Sequence, residues 1–225
     1  MLLFCALAFA GVAEDLVIAK DVDQPLTLRQ AAFGRMANAD NTARVLALIE
    51  DPQTSNDERW VLIRSLGTNP TGEAIEALLR FLSDKNALTR MAALQGIADR
   101  NDPTLSGRVA ARLEDPAILV RYAAIDALAR MKDPSSIGDL ARVLEDPTNT
   151  YRGSSLWVRR NALEAIASIG GDGAVAPLAK ALEDVDAEVA AAALRGLERV
   201  AGFSYKEGRS TSEELTAWKR WAASR

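Results

Sequence analysis

The sequence predicts an all-α protein, a right-handed α-solenoid of about five helix pairs with capping helices at its N- and C-terminal ends. The first observation is a repeat: an aspartate followed at a set distance by an arginine, inside an alanine- and leucine-rich segment. The clearest copies are LSDKNALTRMAALQGIA from Leu82, LEDPAILVRYAAIDALA from Leu113 and LEDVDAEVAAAALRGLE from Leu182. Their aspartates are Asp84, Asp115 and Asp184, divergent copies carry Asp51 and Asp146, and the spacings are 33, 31, 31 and 38 residues. A period of that length with two helical segments per unit marks a stacked helical array. The second observation is composition: small helix formers fill the periodic positions and aromatics are only 5%, so packing rests on neighbouring repeats and not on large side chains.

The third observation is how the irregular spacings are absorbed. In the two central copies Arg90 and Arg121 lie six positions after their aspartates, whereas Asp51 to Arg59 is eight and Asp146 to Arg159 is thirteen. Each excess equals the excess in the period that follows, so the extra residues sit in loops between paired helices and leave the helices in phase. The fifth unit replaces the arginine by Ala190.

The elements follow in order. Residues 14–25 read as a linker, and 26–40 hold an N-terminal helix with Leu28, Ala31, Ala32 and Met36 on one face. The repeat array spans 41–202, with helix pairs at 42–50 and 57–67, 72–83 and 87–99, 105–114 and 118–131, 136–145 and 156–169, and 174–183 and 187–201. Asp-Pro pairs at Asp51, Asp102, Asp115, Asp133 and Asp146 punctuate the breaks, and Gly170-Gly171-Asp172-Gly173 reads as a helix C-cap and turn. Residues 203–225 form a C-terminal capping segment. Thr211 or Ser212 suits the N-cap of its helix, and Leu215, Trp218 and Ala222 then share a face with Trp221 at the edge. A last repeat needs its apolar face covered, so this helix is expected to be a lid held by Trp218 and Trp221. The alternative is an exposed aromatic hook.

From Asn41 to Gly202 the repeats resemble the HEAT-repeat family, specifically the short bacterial form related to phycobilin-lyase repeats. There an outer helix ends at the aspartate and an inner helix begins with a valine and arginine pair, matched by Val120-Arg121 and Val158-Arg159. The resemblance implies that Asp84, Asp115 and Asp146 pair with Arg90, Arg121 and Arg159, in the same or the adjacent repeat, as a structural ladder. A guanidinium fork can hold a carboxylate in that way. The closing Trp-x-x-Trp also resembles tails of related bacterial HEAT proteins.

Residues 1–13 read as a signal peptide. Met1 to Val12 is an unbroken apolar run too short to span a bilayer as a helix, and small residues stand at the third and first places before a cut after Ala13. No basic segment precedes the run. Cys5 is the single cysteine, and Phe4 before it does not suit lipidation. The expected location is periplasmic or secreted, with no stable membrane insertion after signal removal; the alternative is a cytoplasmic protein with a buried apolar helix.

Function classes narrow by exclusion. The chain has no histidine, which removes the commonest general base and the commonest transition-metal ligand. Adjacent acids such as Glu213-Glu214 and Glu183-Asp184 do not converge on one ion. No catalytic residue, metal or cofactor is expected. A net charge of -4 argues against a nucleic-acid partner. The expected function is a non-catalytic scaffold or adaptor that binds a protein or peptide. The alternatives are a lyase-type enzyme subunit and a HEAT-like DNA-repair glycosylase, for which Trp60, Tyr122, Arg160 and Asp126 would be suitable residue types.

The partner site is expected on the inner helices. The residue just after each ladder arginine and the one four further on share a face. That gives Trp60, Met91, Tyr122, Arg160 and Ala191 in one row, and Arg64, Gln95, Asp126, Glu164 and Arg195 in a second. Their variety, against monotonous Ala, Leu, Ile and Val nearby, points to a concave stripe with aromatic anchors. Asn149 to Ser155 would form its rim. For Trp60 and Tyr122 the competing reading is simple packing between repeats.

Overall fold

A computed structural model describes residues 2–207 and 210–225, with side chains from Gly11 onward. The apolar run Met1 to Val12, including Cys5, therefore falls almost wholly outside the described side chains. The chain divides into two compact units, one ending at Asp102 and one beginning at Pro103.

In the first unit, α1 (Leu2–Lys20) and α2 (Leu26–Met36) pack together ahead of α3 (Thr42–Glu50), α4 (Asn56–Ser65), α5 (Gly72–Phe81) and α6 (Ala87–Arg100). Helices α3 and α5 are outer neighbours, and α4 and α6 are inner ones. Ser55 caps α4 with a capping box closed by Glu58, which satisfies the first orphan N–H groups. Thr71 and Asn86 cap α5 and α6 with single side-chain bonds. Small residues set the spacing of the inner layer: Gly67 and Gly96 bring backbone against backbone, with room for no side chain between them.

One boundary differs from expectation. Glu14–Lys20 is not linker but the last part of α1. Val12, Leu16 and Ala19 are buried at helical spacing, Asp15 accepts from Arg35 at 2.6 Å, and Arg29 donates to the Ala19 carbonyl at 3.2 Å. An apolar stripe with an ion pair beside it holds this stretch as helix, and only Asp21–Pro25 remains as connection. The N-terminal cap is thus the α1–α2 pair, lying on α3 and α4, and Ala13 lies inside α1. Among the described residues no helix is long and apolar enough to cross a membrane.

Lys20 reaches Glu58 at 2.5 Å. The Lys20 ammonium first, then the Ser55 N–H and hydroxyl, hold the Glu58 carboxylate down at about 2 from its ordinary 4.5. A depressed carboxylate favours the fold above the unfolded-state value and loses that favour as pH falls through the folded one. Between pH 4.5 and about 2 the wild-type urea midpoint should therefore fall more steeply than that of Glu58→Gln. Parallel curves would show that this group is not linked to folding.

In the second unit, α8 (Ile118–Met131), α10 (Trp157–Ile169) and α12 (Ala187–Ala201) are inner helices, with α7 (Ser106–Ala110), α9 (Ile137–Glu145) and α11 (Val175–Ala181) outside them. The outer helix expected over 105–114 is a short 3-10 turn, five α-helical residues and a run of turns. Gly170 ends α10 with φ 75°, a left-handed value that glycine adopts without strain. The residues inserted after Asp146 form a small hairpin, β1 (Thr150–Tyr151) paired antiparallel with β2 (Ser154–Ser155). Arg152 and Gly153 at its tip both have positive φ, as a two-residue I′ turn requires.

The last helix, α13 (Thr211–Ala223), packs on α11. Its N-cap is Ser210, not Thr211 or Ser212, because Glu213 then falls at the position that completes a capping box. Trp218 is fully buried. It is stacked on Phe203 at 5.4 Å, edge-on to Tyr205 at 4.8 Å and edge-on to Trp221 at 5.4 Å. Lys219 pairs with Glu183 at 2.5 Å. The lid is held by an aromatic cluster that includes Phe203 and Tyr205 as well as the two tryptophans.

Candidate functional site

The repeated aspartates do one job five times. The carboxylates of Asp51, Asp84, Asp115, Asp146 and Asp184 each accept from the N–H two residues on, at 2.7–2.9 Å. These are Asx turns that break the chain between helices. The arginines answer a different need, the unsatisfied carbonyls where an outer helix stops. Arg59 donates to the Ile49 carbonyl at 3.0 Å, Arg90 to that of Asp84 and Arg121 to that of Asp115, both at 2.8 Å, and Arg159 to that of Leu144 at 3.0 Å.

The ladder residues therefore meet first through the main chain. Within a repeat Arg90 and Arg121 donate to the carbonyls of Asp84 and Asp115, while those two carboxylates accept from the N–H groups of their own turns. Among the described residues Asp146 and Arg159 do not pair: the Asp146 carboxylate accepts from Thr148 and Arg159 donates to the Leu144 carbonyl. Arg159 instead grips the carboxylate of Asp184 in the following repeat through both terminal nitrogens. That ion pair is largely buried, with side-chain exposures of 12% and 13%.

The expected partner residues fall into different settings. In the first unit Trp60 is half-buried beside Leu88 and Thr89, lining a crevice of about 10 Å³. That is room for about one water, so Trp60 packs between repeats. Arg64 is ion-paired with Asp99 at 2.6 Å. Met91 and Gln95 are half-buried on α6. In the second unit Arg160 leans toward α12, 3.6 Å from Glu188, and Arg195 is exposed on α12.

Tyr122, Asp126 and Glu164 come together. They line a groove of about 180 Å³ between α8 and α10, with Asn161 and Ala129. Tyr122 is 39% exposed, and its ring lies 4.8 Å from that of Trp157, itself 36% exposed. The sequence reasoning missed Trp157 and Asn161. Both lie with Glu164 at helical spacing on α10, seven and three residues before it, so extending the second row backward along the same helix face would have reached them. Arg160 departs from the groove because one residue is about a 100° rotation on a helix, and the side of α10 that meets α8 is that of Trp157, Asn161 and Glu164.

Paired helices whose outer members end on Asx turns, with inner arginines closing their last carbonyls, define a helical-repeat protein. The sequence profile of HEAT repeats matches residues 86–157 and 105–198, together just over half of the chain. The chain belongs to the HEAT-repeat family. The fold is shared with solved structures. One is the Escherichia coli protein YibA, 20% identical with a TM-score of 0.56, covering 84% of this chain and 72% of that one. Another is an engineered protein, 17% identical with a TM-score of 0.52, covering 95% of this chain and 67% of that one. No curated protein matches the sequence.

Proposed function

We propose that this chain is a non-catalytic HEAT-repeat scaffold or adaptor that binds a protein or peptide on its inner-helix surface. The observation that supports it is the Tyr122–Trp157 pair, two partly exposed aromatic rings in contact, of which Tyr122 lines a groove, beside core positions that are mostly Ala, Leu, Ile and Val. Exposed aromatic anchors beside a preformed groove suit partner recognition, since the ordering of the surface is met by folding. The ionic character favours a protein over a nucleic acid: Arg64 and Arg160 are neutralised by Asp99 and Glu188, and the groove itself presents carboxylates. The apolar N-terminal run supports export to the periplasm or beyond.

The test is affinity capture from the native host, from periplasmic and cytoplasmic fractions separately, with intact-mass measurement of the captured chain. Tyr122→Ala and Trp157→Ala should stay folded and lose the specific partner by roughly 1–3 kcal/mol each, the range of interface anchors. A mature mass beginning at Glu14 would support export. Wild-type capture by both variants would remove the site, and a protein retained whole in the cytoplasm would remove the export reading.

A further inference from the structure

We infer that the groove between α8 and α10 is built for an extended peptide segment carrying an arginine or lysine next to an apolar residue. This rests on the reading of that surface as a partner site and names the partner's chemistry. Four features of the groove converge on it. Its floor is apolar, formed by Ile125, Ala129 and Ala165, and its polar wall is Asp126, Asn161 and Glu164. Asp126 and Glu164 make no ion pair or hydrogen bond among the described residues, although ion pairs are common elsewhere on this chain. Arg160 on the same helix as Glu164 is held by Glu188, and Arg195 on α12 makes no pair with Glu164 among the described residues.

The Tyr122–Trp157 shelf is the fourth feature. A tilted aromatic pair at 55° gives an apolar side chain a surface to lie on, and its ring faces attract a cation. A guanidinium or ammonium entering the groove would lay its aliphatic stem along Ile125 and Ala129 and place its charge between two carboxylates on facing helices. An acidic segment would meet like charge, and a purely apolar one would cover two ionised groups without compensation. The preference is thus for a positive side chain flanked by an apolar one. The groove is too small, at about 180 Å³, for a folded element, so the segment enters extended.

The experiment uses the full chain and three fluorescein-labelled peptides, alternating leucine with arginine, with glutamine or with glutamate. By fluorescence anisotropy at low salt the arginine peptide should bind about tenfold tighter than the glutamine peptide, the scale of two semi-exposed ion pairs. The glutamate peptide should bind weakest, and the arginine preference should shrink with salt. The double variant Asp126→Asn, Glu164→Gln should bind arginine and glutamine peptides alike, while Glu73→Gln, Glu76→Gln on exposed positions of α5 should keep the preference. Far-UV circular dichroism checks that each variant is folded. Equal binding of the arginine and glutamine peptides by wild type would overturn the inference, as would a preference that survives in the Asp126, Glu164 variant. If Tyr122→Ala loses the native partner while Asp126→Asn, Glu164→Gln still captures it, the docking surface stands and the basic partner falls. Capture by both variants removes both.

Discussion

Trp218→Ala is expected to destabilise the protein by about 3–5 kcal/mol, the range for deleting a fully buried large aromatic. The substitution removes the ring that Phe203, Tyr205 and Trp221 all contact, at 4.8–5.4 Å, and leaves a void beneath α13 against α11. For a chain of this size that corresponds to a fall of very roughly 10 °C in the melting temperature. Removing Glu213–Arg225 should lower the melt further. Partner capture below the melt should be unaffected, since the groove of Tyr122 and Asp126 lies on α8 and α10. An unchanged melt with lost capture would make α13 an aromatic hook instead of a lid.

Gly67→Ala is expected to cost about 1–3 kcal/mol through overpacking. A Cβ there would sit 2.5 Å from the Gly96 carbonyl oxygen and 2.8 Å from its Cα. Both obstacles are backbone, so no rotamer can relieve the clash, and α4 would have to move off α6. Gly96→Ala meets instead the end of Leu78 at 2.9 Å, which can rotate, so it should cost less. Gly34→Ala has nothing within 4 Å and replaces a glycine in the last turn of α2, so it should stabilise by up to roughly 0.5–1 kcal/mol. Urea midpoints of the three variants give the order, and a Gly67→Ala as mild as Gly34→Ala would contradict the close approach.

Much of the fold was legible because a period near 31 residues is imposed by geometry. Each repeat must present the same faces to its neighbours, so Asp84 and Asp115 recur with Arg90 and Arg121 in phase, and the helix pairs fall close to their expected spans. The roles within that pattern were less legible. Sequence shows that an aspartate and an arginine recur together, and the simplest chemistry joins their charges. It does not show that a carboxylate two residues from an N–H closes its own turn first, or that a helix's last carbonyls are the nearer acceptors for the guanidinium.

The first helix was misread at Glu14–Lys20 for a related reason. Charged residues after an apolar run look the same whether they begin a solvated linker or, like Asp15 and Lys20, meet Arg35 and Glu58 across a packed surface. At the candidate site, period and helical spacing found Tyr122, Asp126 and Glu164. Trp157 escaped because both rows begin after each arginine, whereas Trp157 stands two residues before Arg159, in register with the exposed Leu88 and Leu119 of the preceding repeats.

The seam at the insertion has a consequence for how this array tolerates change. The hairpin after Asp146 is closed at its base: Asn149 donates to the Val143 carbonyl at 3.0 Å, the Leu156 N–H donates to the Asn149 carbonyl at 2.8 Å, and the Ser155 N–H donates to Asp186 at 3.1 Å. Beyond those bonds Tyr151, Arg152, Gly153 and Ser154 are exposed. The tip is mechanically uncoupled from the helices it interrupts, and lengthening a flexible loop costs only about 0.6 kcal/mol per doubling. Arg152-Gly153 is therefore a port in the array, a place where a foreign epitope or a second recognition loop can be spliced in without shifting the register of any repeat.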